Sequence, residues 1–203
     1  DFLVVPVGAR TCAEAIEWAS RVRTATAAVL RHRGHDVSLV ADEGGLAAPL
    51  PSNRAALDVL LEGIERSGLE PGAEEAIAVD FAATQLLGGG VYVLASEGRH
   101  LQAEELVDEL AAWVDDYPIV SIEDALGEDD VEGWRYATER LSTRIQLLGD
   151  DLFVTSPERL REGVEHHIAN AVLVKPNQVG TLSEARAVVG LAQDAGYATV
   201  LSA

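Results

Sequence analysis

The chain has 203 residues, of which 48% are hydrophobic, and a net charge of −19. That length supports one large domain with a substantial core, and the apolar fraction excludes a disordered chain. The acidic balance argues against nucleic acid or an anionic membrane as partner. No apolar run approaches the roughly 20 residues that a membrane helix needs.

The predicted elements alternate. Asp1–Val7 reads as a strand. Thr11 and Glu14 form a capping box for a helix that runs to about Arg33, with Ile16, Ala19, Val22, Val29 and Leu30 as its apolar stripe. Val37–Val40 reads as a short extended run, followed by Ala41-Asp-Glu-Gly-Gly-Leu46, whose paired glycines suggest close backbone approach. Ser52 or Asn53 caps a helix from Ala55 to about Ser67. Strand Ala76–Asp80 precedes a glycine-rich hairpin over Leu86–Leu94. Helix Ala103–Asp115, strand Pro118–Glu123, an acidic loop and a helix carrying Trp134, Tyr136, Ala137 and Leu141 come next. Strand Ile145–Gly149, a helix started by Ser156-Pro157, strand Ala171–Lys175, helix Leu182–Ala195 and strand Tyr197–Ser202 complete the series. Strands alternating with helices imply a parallel α/β sheet, either a barrel or doubly wound.

The chain contains no methionine, and it opens and closes inside strand-like runs. It is therefore expected to be a piece of a longer protein. One cysteine, Cys12, excludes an internal disulfide and suits a reducing, cytoplasmic setting. Its place in a helical pattern reads as a small core residue.

The strand ends carry the chemistry. Asp80, Glu123, Asp150 and Lys175 each terminate an apolar strand, and the ends from Glu123 to Asp150, Lys175 and Ser202 lie 27, 25 and 27 residues apart. Ligands of parallel α/β sheets sit at the carboxyl ends of strands. A strand-end carboxylate often only caps the next helix, but here Ser156-Pro157 and Thr181 with Glu184 already serve the following helices. Three adjacent carboxylates repel unless a cation lies among them, and an all-oxygen donor set without histidine or cysteine fits Mg²⁺. The five histidines fall on helix or loop patterns and read as surface residues.

Lys175 is the only lysine beside fourteen arginines. An ammonium can lose its proton near neutral pH and a guanidinium cannot. A divalent cation nearby would favour that loss. The residues alone thus point to metal-assisted proton abstraction next to a carboxylate, with Lys175 as base and Glu43 as a candidate acid.

Several stretches resemble the enolase family, lyases that interconvert 2-phosphoglycerate and phosphoenolpyruvate. They are Pro6-Val-Gly-Ala9, Asp42-Glu-Gly-Gly45, Ser121-Ile-Glu-Asp124, Gly149-Asp-Asp-Leu-Phe-Val-Thr155 and Asn177-Gln-Val-Gly-Thr-Leu-Ser-Glu184. The resemblance covers essentially the whole chain. It implies that residues 1–203 form a partial barrel of the TIM type, without its first and last strands and without the N-terminal capping domain. It implies Asp80, Glu123 and Asp150 as Mg²⁺ ligands, Lys175 as the base at C2 and Glu43 as the acid at the C3 hydroxyl. Asp1, Lys175 and Ser202 fall on the substrate side. It also implies a homodimer or higher homo-oligomer.

The chain departs from the family where Asp1 replaces a glutamate and Ala203 replaces a histidine. Metal and acid/base positions are kept while substrate-side positions change. This points to a small phosphorylated carboxylate or, alternatively, a phosphonate such as that handled by carboxyphosphonoenolpyruvate synthase-like relatives in secondary metabolism. A catalytically silent binding protein on the same fold is the other alternative.

Overall fold

The computed structural model describes residues 1–41 and 44–202. The strands are β1 (Phe2–Val5), β2 (Ala76–Asp80), β3 (Leu87–Gly88), β4 (Val91–Leu94), β5 (Arg99–Leu101), β6 (Ile119–Glu123), β7 (Gln146–Gly149), β8 (Ala171–Val174) and β9 (Ala198–Leu201). The helices are α1 (Cys12–His32), α2 (Asn53–Arg66), α3 (Ala103–Asp116), α4 (Val131–Leu141), α5 (Pro157–His166), α6 (Pro176–Val179) and α7 (Leu182–Asp194). Six strands form one sheet in the order β1-β2-β6-β7-β8-β9, and β3-β4-β5 form a second.

The helices start where short polar side chains can accept orphan N–H groups. The side chains of Thr11, Ser52, Asp130, Ser156 and Thr181 each accept the N–H three residues on. Strand-end residues are therefore spared that duty, as the sequence predicts.

The chain divides into two compact units. One comprises Phe2–Ala78 and Trp113–Ile119. There α1 packs on α2 through Val29, Leu30 and Val59, with Val37, Leu46, Ala48 and Leu50 laid against them.

The other comprises Asp1, Val79–Ala112 and the chain from Val120 onward. Its strands β6, β7, β8 and β9 pair in parallel, with Glu123 opposite Leu148, Gly149 opposite Val172 and Val174 opposite Leu201. All four residues of β8 are buried, as are Leu147, Leu148 and Gly149 of β7. This is the burial expected of central parallel strands. Phe153, 1% exposed, anchors the turn after β7. A Cβ on Gly149 or Gly163 would meet its ring at 2.6 or 2.5 Å, so both positions need glycine for the ring to fit. Tyr92 ties the β3-β4-β5 excursion down: its hydroxyl donates to Asp130 at 2.8 Å and accepts the Gly127 N–H at 2.9 Å.

Val37–Val40 joins no strand, and its one ladder contact is an isolated bridge from Val40 to Leu46. Several other expectations need correction. The glycine hairpin gains a third strand, β5, and proline opens the short α6 directly after Lys175. Cys12 is exposed rather than a core residue, because it occupies the first turn of α1, before the buried stripe begins at Val22. Ile16 in the next turn is likewise 66% exposed.

Candidate metal centre and catalytic base

The strand ends assemble within the unit that contains β6 to β9. Asp80 closes β2, and its N–H donates to the Asp1 carbonyl at 2.9 Å. Its carboxylate accepts the Ala82 N–H at 3.0 Å, which turns the chain sharply. Phe81 then donates to the carbonyl of Glu123, the last residue of β6, at 3.0 Å. Asp150 and Lys175 each lie one residue beyond β7 and β8. All four side chains are half-buried.

Carboxylate oxygens of Asp80, Glu123 and Asp124 lie within 4.8 Å of one another, and so do those of Asp124, Asp150 and Asp151. The Lys175 Nζ donates to Asp150 Oδ2 at 2.5 Å. The Gln178 amide donates to Asp150 Oδ1 at 3.1 Å, and its carbonyl accepts the Thr155 hydroxyl at 2.5 Å. That hydroxyl also accepts the Lys175 backbone N–H at 2.9 Å. Lysine and aspartate are thus connected twice, directly and through Gln178 and Thr155.

The electrostatics are those of crowded anions out of water. Burial pushes the Glu123 carboxyl up to about 8, with the neighbouring Asp80, Asp124 and Asp150 adding to the rise. Burial raises Asp80 as well. Asp124 is pushed up to about 6 by burial, moderated by the backbone N–H groups it accepts. For Lys175, burial disfavours the ammonium, but Asp150, then Glu123 and Asp151, outweigh it, and the group sits above its ordinary value.

Of the expected ligands, Asp80 and Glu123 fall in one group and Asp150 in the other, with Asp124 common to both. Every oxygen is a hard carboxylate donor of the kind that suits a divalent cation, and His32, His100, His166 and His167 are exposed. A cation would lift the mutual repulsion that raises Glu123.

Of the residues expected on the substrate side, Asp1 is exposed and offers its carbonyl to Asp80, and Ser202 is half-buried with its N–H on the Val174 carbonyl at 3.1 Å. Glu43 and Ala203 lie outside the described residues. Sequence reasoning passed over three residues. Asp124 follows Glu123 directly, and the doublet was the available signal. Thr155 and Gln178 stand in the quoted motifs, but nothing in their spacing shows that they bridge Lys175 to Asp150.

The sheet is α/β and parallel across β6 to β9, its acidic ends carry one lysine, and the whole of residues 1–203 matches the family model described as Enolase, C-terminal TIM barrel domain. The chain therefore belongs to that family and has the α/β, TIM-type fold of its C-terminal domain, with acidic residues at the strand ends grouped as a possible metal site.

Proposed function

We propose that this chain carries the metal and base half of an Mg²⁺-dependent lyase that converts 2-phosphoglycerate to phosphoenolpyruvate. The observation that carries the proposal is the chain's single lysine, held by a carboxylate at the edge where Asp80, Glu123 and Asp124 converge. Asp80, Glu123 and Asp150 are the residues proposed to hold the cation. Once bound, Mg²⁺ supplies positive charge that lets a substrate carboxylate take up the electron pair left when the neighbouring carbon loses its proton.

The protein's own groups do the rest. Were Asp150 to hold a cation, Lys175 Nζ would lose the partner that keeps it charged and could act as a base. It takes the proton from C2. Thr155 holds the Lys175 backbone N–H, and Gln178 holds Asp150 beside it. The C3–O bond then breaks, the C2–C3 double bond forms, and Glu43 supplies the proton with which the hydroxyl leaves as water. Asp1 and Ser202 lie on the substrate side.

The test is turnover of 2-phosphoglycerate by the intact protein, followed by the ultraviolet absorbance of the enol product. Activity is expected with Mg²⁺, none with excess chelator, and none in Lys175→Ala. A folded, Mg²⁺-loaded protein that leaves 2-phosphoglycerate untouched overturns the substrate assignment. A second reading rests on Ala203, where the family has an imidazole. It is a related phosphonate substrate, and it predicts weak activity on 2-phosphoglycerate that Ala203→His raises.

A further inference from the structure

Asp124 fits either group of carboxylates, yet its geometry is not that of a free ligand. It is 4% exposed and sits in the left-handed region, with φ of 41°, which costs energy for a non-glycine residue. Such strain persists only where surrounding contacts over-determine it.

Those contacts tie the end of β6, which Asp124 follows, to the ends of β2 and β7. The Asp124 N–H donates to the Leu148 carbonyl in β7 at 3.0 Å, and its carbonyl accepts the Ala83 N–H at 3.0 Å, just past the end of β2. Its carboxylate accepts the consecutive N–H groups of Asp150 at 3.1 Å and Asp151 at 2.8 Å, with the Leu152 N–H at 3.5 Å. Successive backbone N–H groups aimed at one point form an anion-binding nest, and here the nest is filled from within the chain. A carboxylate offers about four lone-pair positions, so three donors leave little for a metal.

We infer that Asp124 is a positioning residue, whose side chain and both backbone groups fix the relative placement of the strand ends bearing Asp80, Glu123 and Asp150. The inference rests on the metal reading proposed above. Without the Asp124 carboxylate, the partial positive charge of the nest would face the cation site uncompensated. The Asp150 turn would also lose the anchor that sets its distance from Glu123.

The test is Mg²⁺ and Ca²⁺ titration of the intact protein by calorimetry, in wild type, Asp124→Asn and Asp124→Gly. The glycine variant removes the carboxylate while accommodating the positive φ. Circular dichroism and melting of the metal-free proteins run alongside. Val188→Ala, in the buried face of α7, serves as a control that lowers stability away from the site. Both Asp124 variants are expected to weaken Mg²⁺ binding by roughly 10–100-fold, as loss of a residue supporting metal ligands does. Ca²⁺ should be lost less, because it tolerates irregular geometry and Mg²⁺ does not. The Val188→Ala affinity should equal that of wild type. Unchanged Mg²⁺ affinity in both Asp124 variants overturns the inference. Equal loss of Mg²⁺ and Ca²⁺ also overturns it, by making Asp124 a ligand. A folded wild type that binds neither ion overturns the metal reading itself, a result distinct from the other two.

Discussion

Lys175 Nζ lies 2.5 Å from Asp150 Oδ2, so the proposed base and a proposed metal ligand share one ion pair. The lysine and the cation then compete for the same carboxylate. Lys175→Met keeps an unbranched side chain one atom shorter and removes its charge. It should lower turnover by roughly 10²–10⁴, the usual worth of a positioned base, while Mg²⁺ binds several-fold more tightly because a nearby positive charge is gone. Calorimetric titration beside steady-state kinetics checks both halves. Weaker Mg²⁺ binding in the variant would mean that the lysine supports the site rather than competes for it.

Thr155 is fully buried at a φ of 54°, an uncommon conformation for a β-branched residue. Its hydroxyl accepts the Lys175 N–H and donates to Gln178. Thr155→Val keeps the shape but leaves the half-buried Lys175 N–H without its acceptor. The expected loss is about 1–3 kcal/mol, measured by urea unfolding, with Thr155→Ser close to wild type. A serine variant as unstable as the valine one would show that the methyl group, not the hydroxyl, matters there.

The elements that sequence reading located well are those with strong local signals. Strand Ala76–Asp80 agrees to the residue, and the helices after Thr11, Ser156 and Thr181 begin where those caps place them. An apolar run ended by a carboxylate marks both a buried strand and its carboxyl end, so the site edge was legible too. What escaped was set by contacts distant in sequence. Asp124 reads as a duplicate of Glu123, because nothing local says that its oxygens accept N–H groups from residues 150 and 151. The left-handed conformations of the β-branched Val154 and Thr155 contradict their intrinsic preferences, and tertiary hydrogen bonds hold Asp124 and Thr155 in that region. Cys12 and Ile16 misled for the opposite reason: helical periodicity is symmetrical along α1, but only the stretch from Val22 onward has residues buried.

The crossing of α1 and α2 depends on Gly63. A Cβ there would sit 2.0 Å from the Thr26 Oγ1 and 3.0 Å from its Cβ. Gly63→Ala should therefore cost about 1–3 kcal/mol by overpacking, despite its better helix propensity. The Thr26 hydroxyl is buried without a hydrogen-bond partner among the described residues, so Thr26→Ala loses nothing there and opens space. The double variant should recover part of the loss, seen as a positive coupling in a double-mutant cycle of melting temperatures. Simple additivity would show that the helices separate rather than clash.

Glu75, immediately before β2, presents the clearest case of pH-dependent stability. It is 0% exposed, and neither of its carboxylate oxygens has a hydrogen-bond partner among the described residues. Arg21 is the cation in electrostatic range, but its guanidinium donates elsewhere, to Glu17 at 3.0 Å and to the Ser67 carbonyl at 3.4 Å. Burial pushes the Glu75 carboxyl from 4.5 up to about 7, and the Arg21 charge only partly opposes this. The sign follows from proton counting. Between these two values the folded chain keeps a proton that the unfolded chain has released, so stability falls as pH rises through that window and levels off above it. Glu75→Gln holds the same shape without the charge. It should be more stable than wild type by roughly 3 kcal/mol at pH 8, converting the shift at about 1.4 kcal/mol per unit, and nearly equal to it below pH 4.5. Urea unfolding of the two proteins at pH 4.5, 6 and 8 measures the difference directly, with all other titrating groups common to both. A difference that stays constant across the three pH values would mean that Glu75 reaches water or a cation on folding and ionises at its ordinary value.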